Sequence, residues 1–386
     1  MNIGLNVVSA YLIFIFQGLA APLGSVMIME IAGKYGVDTS MIGYIFALGI
    51  VGGGLAAIGS GFLLENLGQR KLIFMGIIIA LLAGVAIISS NQLPIFAVGI
   101  FLSGASSWLL VAVGNYIIVR IHQGEKRSSQ LNLLNFFFSI GALITPILAG
   151  YMLARHIPWE AVFLTPSILL VILAILAYQP TVGSSEVRSS LIDKSLPTAS
   201  NGKWNVNIYL IGAALGFYCM LEYSYTSWII VHLRENFAVD IMEASLVLTT
   251  FYMCQALGRL VSGFIVKRVA LNRYIISCAS IGLVAVSLII VSESYAAVLG
   301  LTILLGLGIA SLYPSILSYG TLQTQAPSPH MMTFFLTCGI GGAVIGMVLT
   351  SFLKQHFGVL ACIGTGVFTA ALIIVLIGIT KVDVVD

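Results

Sequence analysis

One carboxylate falls deep inside an apolar stretch: Glu222, within a run that begins near Asn207. At 1.5 Å per residue it lies about 22 Å along a helix, too deep to reach either end of the run. A charge at that depth in a bilayer costs at least a few kcal/mol, so the side chain is expected to face a bundle interior or water. Desolvation favours the protonated form of a buried carboxyl. Glu222 is thus the candidate proton-coupling group, the alternative being a protonated carboxyl that only hydrogen-bonds a neighbouring helix. Tyr218, Glu222 and Tyr225 share a helical face by their i, i+4, i+7 spacing. Two phenols beside a carboxyl could bind a polar solute and stack on its apolar side. They could equally join helices.

Amides and hydroxyls extend the candidate site. Asn132, Asn135 and Ser139 form a polar stripe of helical period, and Gln17, Asn115 and Gln255 are isolated amides in other apolar runs. Such a stripe lines either a cavity or a helix contact. Arg259 lies eight residues before Lys267, about 12 Å from the end of its run. Its guanidinium can snorkel to that end, and about 10 Å of depth separate it from Glu222, so no ready ion pair is expected. Pro22, Pro146 and Pro314 interrupt three runs, where a proline kink serves either gating or structure. The five cysteines stand alone, with no metal-ligand or CxxC spacing, and read as packing residues. No phosphate loop, metal cluster or Ser-His-Asp grouping is evident, so neither an enzyme nor a cofactor is expected.

The elements that must hold these residues follow from composition. Hydrophobic residues make up 59% of the 386 and charged residues 8%, against about 25% charged in soluble domains. Runs of about 20 apolar residues cross a bilayer, and the chain divides into twelve, approximately 5–30, 40–64, 72–90, 93–119, 129–154, 158–178, 207–233, 243–266, 274–292, 295–320, 330–352 and 357–380. With both termini inside, twelve basic residues fall on inner segments and four (Lys34, Arg155, Arg234, Lys354) outside, as the positive-inside bias requires. The net charge of +3 therefore indicates orientation, not nucleic acid. The first run continues to about residue 30 without a cleavage pattern and reads as a first helix.

A duplication organises the whole. Gly61-Phe-Leu-Leu-Glu65-Asn-Leu-Gly68-Gln-Arg70-Lys71 has a counterpart in Gly263-Phe-Ile-Val-Lys267-Arg268 about two hundred residues on. Gly141-Ala142 with Gly150 similarly precedes Gly341-Gly342 with Gly346. A duplicated membrane unit is the pattern of a transporter. The expected plan is a six-helix bundle over 1–178, a polar Ser-rich linker over 179–206, and a second bundle over 207–386. The glycine-bearing spans are candidates for contacts that slide between the bundles, with ordinary close packing as the alternative.

The repeated hairpin resembles the signature loop of the major facilitator superfamily, Gly-x-x-x-Asp-x-x-Gly-x-Arg-Lys/Arg, with Glu65 in place of the Asp. The resemblance implies an all-α membrane protein of twelve transmembrane helices in two pseudo-symmetric six-helix bundles. It also implies alternating access, with Gly61, Glu65, Gly68, Arg70, Lys71, Gly263, Arg259 and Pro314 in gating or structural roles. Leu131–Ala142, Gly258-Arg259 and Ser311-Leu-Tyr-Pro314-Ser-Ile-Leu-Ser-Tyr-Gly320 are similar to the sugar–proton symporter branch that includes fucose permeases. Tyr151-Met-Leu-Ala-Arg155-His-Ile-Pro-Trp159 and Thr321–Gly339 are similar to TsgA-type proteins. The chain departs from the fucose branch, which carries acidic residues in the first and fourth spans. Here Gln17–Ser25 has none, and Val111 stands four residues before Asn115. TsgA-type sequences favour an amide where this chain has Glu222.

These readings together lead to a monomeric secondary transporter of the bacterial inner membrane, its partners a small polar or anionic solute, protons and lipid. Two directions stay open. One is proton-coupled import through Glu222. The other is export by proton antiport, since Gly141-x-x-x-Thr145-Pro146-x-x-Ala149-Gly150 partly matches an antiporter signature.

Overall fold

A computed structural model describes residues 3–122, 124–178, 204–266, 268–324 and 329–380. Most of the expected linker lies outside them, as do Lys267, Pro327 and the side chains of Lys126, Arg127 and Asn132. Fourteen helices and no strand occur among the described residues. They are α1 (Ile3–Ala20), α2 (Leu23–Tyr35), α3 (Thr39–Ser89), α4 (Leu93–Ile121), α5 (Gly124–Ala154), α6 (Trp159–Phe163), α7 (Ser167–Tyr178), α8 (Val206–Asn236), α9 (Ile241–Ile265), α10 (Leu271–Val291), α11 (Tyr295–Ile309), α12 (Leu312–Thr321), α13 (Pro329–Phe357) and α14 (Val359–Ile379). The chain is a multi-pass membrane protein of the twelve-helix type.

Fourteen helices make twelve crossings because three crossings are broken and one helix is double. α1 and α2 form one span bent by 41°, at Pro22, which has no N–H for the helical ladder. The sixth crossing is α6 and α7 together, and the tenth is α11 and α12, parted at Ala310 and Ser311 just before Pro314. Conversely, α3 is 51 residues long, about 76 Å of helix rise, far beyond a bilayer of about 30 Å. It is two crossings joined at Gly68, whose φ of 76° and ψ of 163° reverse the chain. That conformation is open to glycine and strained for other residues. Pro146 lies inside an unbroken α5.

The repeat is written in caps and close contacts as well as in hairpins. Asp38 caps α3 by accepting from the Ser40 N–H at 2.8 Å, and Asp240 caps α9 by accepting from the Glu243 N–H at 2.8 Å. A side-chain oxygen there satisfies an amide that the helix leaves orphaned. Gly18 and Gly141 bring α1 and α5 backbone to backbone, where a Cβ on Gly141 would come within 2.6 Å of the Ile15 carbonyl oxygen. Gly216 and Gly342 do the same for α8 and α13.

Both readings offered for the glycine-bearing spans have a counterpart here. Gly141 and Gly342 tighten helices within the first and last six crossings, and do not form contacts between them. The spans themselves do carry inter-half packing, because α5 meets α9 and α13 meets α3. Gly150 sits against Ser245, and Gly43 against Ser351 and Trp228. These close approaches lie at the end of the molecule opposite the chain termini, where Arg234 Nη1 also meets Glu30 Oε1 at 2.5 Å.

Candidate functional site

Between the two sets of six helices lies a cavity of about 430 Å³. The first set contributes Gln17 and Ser25 flanking the break between α1 and α2, Phe46 and Ile50 of α3, and Ser103, Ser107 and Trp108 of α4. Gly53 makes room for Trp108, since any Cβ there would overlap the indole. The last set contributes Glu222, Tyr223, Thr226 and Ser227 of α8, Tyr252 and Arg259 of α9, Tyr313 of α12 and Met347 of α13. The breaks thus fall beside the cavity, where freed backbone groups can be satisfied by water or solute.

Glu222 faces this cavity. Its Oε1 accepts a hydrogen bond of 2.6 Å from Gln255 Nε2, so α8 and α9 are tied at the acidic centre. Arg259 stands one turn beyond Gln255 on α9, about 5–6 Å along the same face. Its Nε donates to the Ala310 carbonyl at 3.2 Å, at the break in the tenth crossing, and its Nη1 donates to Ser139 Oγ at 3.3 Å across the two halves. Arg259 therefore lines the cavity instead of snorkelling away from it. Among the described residues no Glu222–Arg259 ion pair forms within 4.0 Å, as the depth difference implied, although both groups line one chamber.

The other expected site residues divide by place. Gln17 lines the cavity, and its Oε1 is buried with no hydrogen-bond partner. Gln255 and Ser139 stand one step back, bonded to Glu222 and Arg259 respectively. Tyr218 is buried with its hydroxyl unpartnered, its ring 5.9 Å from that of Tyr313. Tyr225 points away from the cavity, its hydroxyl 2.5 Å from Thr302 Oγ1 and its ring 5.1 Å from Phe251. Asn135 is exposed and donates to the Leu131 carbonyl of its own helix. Asn115 is half-buried and does not line the cavity. At the hairpin, Arg70 donates to the Tyr178 carbonyl at 2.8 Å, while Gly61, Glu65 and Lys71 are exposed. Gly263 is likewise exposed, with open space where a side chain would lie. Pro314 sits in the first turn of α12.

Sequence periodicity missed the groups on the wetted side of α8. Tyr223, Thr226 and Ser227 share the Glu222 face, and Tyr252 and Tyr313 complete an aromatic wall. Spacing defines faces but not which one turns inward. An available signal was the pairing of Glu222 with Thr226 and Ser227, three polar residues at i, i+4 and i+5 in an apolar run.

A chamber between two repeated six-helix halves, lined by one acid, one base and the Gln17 amide, is the arrangement of a solute carrier. The chain belongs to the Major Facilitator Superfamily, whose family profile matches residues 7–229 and 210–384. It is similar to the protein TsgA homologs of Yersinia pseudotuberculosis serotype O:1b (strain IP 31758) and of Yersinia pestis. To each it is 24% identical over 372 residues, covering 95% of this chain and 93% of the relative.

Proposed function

We propose that the protein imports a small polar or anionic solute with protons across the bacterial inner membrane, by alternating access of one central cavity. The termini and the 179–206 linker between halves lie in the cytoplasm in this reading, supported by the basic residues clustered on that side. The carrying observation is Glu222, a carboxylate at the cavity wall that accepts a hydrogen bond from the Gln255 amide and, among the described residues, has no ion-pair partner. Such a group can change protonation as the chamber changes sides, because one hydrogen bond offsets only about 1.5–3 kcal/mol of the cost of a charge held away from water.

The test is transport by Glu222→Gln in proteoliposomes with an imposed pH gradient. The expected result is loss of uphill uptake with solute exchange retained, since an amide can complete the binding cycle but cannot carry a proton. Uphill uptake at the wild-type rate by that variant would sink the assignment. Accumulation in everted but not right-side-out vesicles would establish export by antiport instead.

A further inference from the structure

We propose, on the strength of the proton-coupled reading, that the solute is a hydroxylated monocarboxylate. Its carboxylate binds Arg259 while Glu222 takes up one proton, so that transport is electroneutral. Among the described residues, Glu222 and Arg259 are the two Asp, Glu, Lys or Arg side chains lining the cavity, and the chamber is therefore formally neutral before solute binds. Among the described residues Arg259 bonds only neutral oxygens, the Ala310 carbonyl and Ser139 Oγ, which leaves its charge there uncompensated by a direct contact and several of its five N–H donors free. A planar fork of that kind matches a carboxylate.

Charge balance selects the class. A monoanion on Arg259 beside an ionised Glu222 would leave the chamber at minus one, in surroundings where charge is poorly screened. Protonating Glu222 restores neutrality, and the proton from the outer water moves with the solute. A dianion would still leave one negative charge, a cation one positive charge, and a neutral sugar could hydrogen-bond the guanidinium but would leave its charge unpaired. The titratable groups around Glu222 carry one other formal charge. They are Tyr218, Cys219 and Tyr223 of α8, Tyr252 and Arg259 of α9 and Tyr313 of α12. Phenols and thiols are ordinarily neutral near pH 7, so Arg259 is the one formal charge among them. Met347 of α13 and Gln17 of α1 complete the surroundings without charge.

The hydroxyl requirement comes from Gln17. Its Oε1 is an acceptor buried at the wall with no partner, and an unpaired buried acceptor is costly unless a ligand donates to it. A carboxylate cannot donate, but a hydroxyl elsewhere on the solute can.

The test uses the full chain in proteoliposomes, with D-gluconate, D-glycerate and L-lactate as probes and malate, galactose and choline as charge controls. An imposed pH gradient should drive uptake of at least one hydroxy monocarboxylate at one proton per solute, and a potassium-valinomycin potential should not change the rate. Arg259→Lys should weaken uptake more than tenfold and Arg259→Gln should abolish it, while Gln17→Leu should lose the preference for hydroxylated over plain acids. Should Arg259→Gln fail to fold, Arg259→Lys and the potential measurement decide. Charge movement with the solute, uptake of galactose or malate unaffected by Arg259→Lys, or no uptake of any monocarboxylate would overturn this inference and leave proton coupling untouched. Wild-type accumulation by Glu222→Gln would instead sink the coupling reading beneath it.

Discussion

Two tyrosines two positions apart on α8 have opposite duties. Tyr223 lines the cavity, whereas Tyr225 is fully buried and spends its hydroxyl on Thr302 of α11. Removing the Tyr225 hydroxyl strands little, because Thr302 also donates to the Val298 carbonyl at 2.7 Å. Tyr225→Phe is expected to cost about 1 kcal/mol of stability, the ordinary worth of one hydrogen bond, and to leave solute affinity unchanged. Tyr223→Phe should do the reverse. Thermal unfolding and solute KM, measured on both variants, separate the two duties, and a raised KM in Tyr225→Phe alone would contradict the geometry. The depth of Glu222 was legible in the sequence because helix rise converts residue count into distance. The partner on Gln255 was not, since it depends on how α8 and α9 are rotated against each other.

Helix ends and helix contacts carry the next level of specificity. Gly342 lies against the Gly216 backbone, while its neighbour Gly341 has open space where a side chain would go. Gly342→Ala must therefore push α13 off α8, and overpacking of this kind costs about 1–3 kcal/mol. Gly341→Ala should be neutral in the same thermal assay, and equal effects would show that intrinsic glycine effects, not the close approach, decide. Asp38 gives a pH-dependent counterpart at the start of α3. Burial pushes its carboxyl up, but the Ser40 hydrogen bonds, with the Lys354 charge behind them, hold it below the ordinary carboxylate value. A lowered folded value means that the cap stabilises above the unfolded value and is lost as pH falls through the folded one. Asp38→Ala should cost about 1 kcal/mol at neutral pH, a difference that shrinks as acid protonates the wild-type carboxyl. Twelve crossings were readable from apolar run length, and the bends at Pro22 and before Pro314 from proline chemistry. Pro146 shows the limit, because α5 carries it without a break. Neighbouring helices decide whether a kink forms, and single-chain periodicity does not describe neighbours.

At the scale of the molecule the two halves are held unequally. Among the described residues two side-chain hydrogen bonds cross between them: Arg259 to Ser139 beside the cavity, and Arg234 to Glu30 at the end away from the termini. The second joins opposite charges, each about a quarter exposed, next to the close packing of Gly43 on Ser351 and Trp228 and of Gly150 on Ser245. Alternating access requires these contacts to part, so the pair should bias which side is open. A partly exposed ion pair is worth up to about 1 kcal/mol, and an equilibrium changes roughly fivefold for that energy. Arg234→Ala should therefore raise the opening of the cavity toward this end about fivefold. The readout is impermeant maleimide labelling of a cysteine placed at Ser103, in a background whose native cysteines are replaced by serine. The double exchange Glu30→Arg with Arg234→Glu should return labelling toward its starting rate, which separates the attraction from mere loss of side-chain bulk. Lys34 and Glu160 supply the control, since they form a 2.9 Å pair at the same end but within one half. Breaking it with Lys34→Ala should leave labelling unchanged, because no relative motion of the halves stretches it. Equal labelling in Arg234→Ala and Lys34→Ala would mean that packing at Gly43 and Gly150, and not charge, holds this end shut.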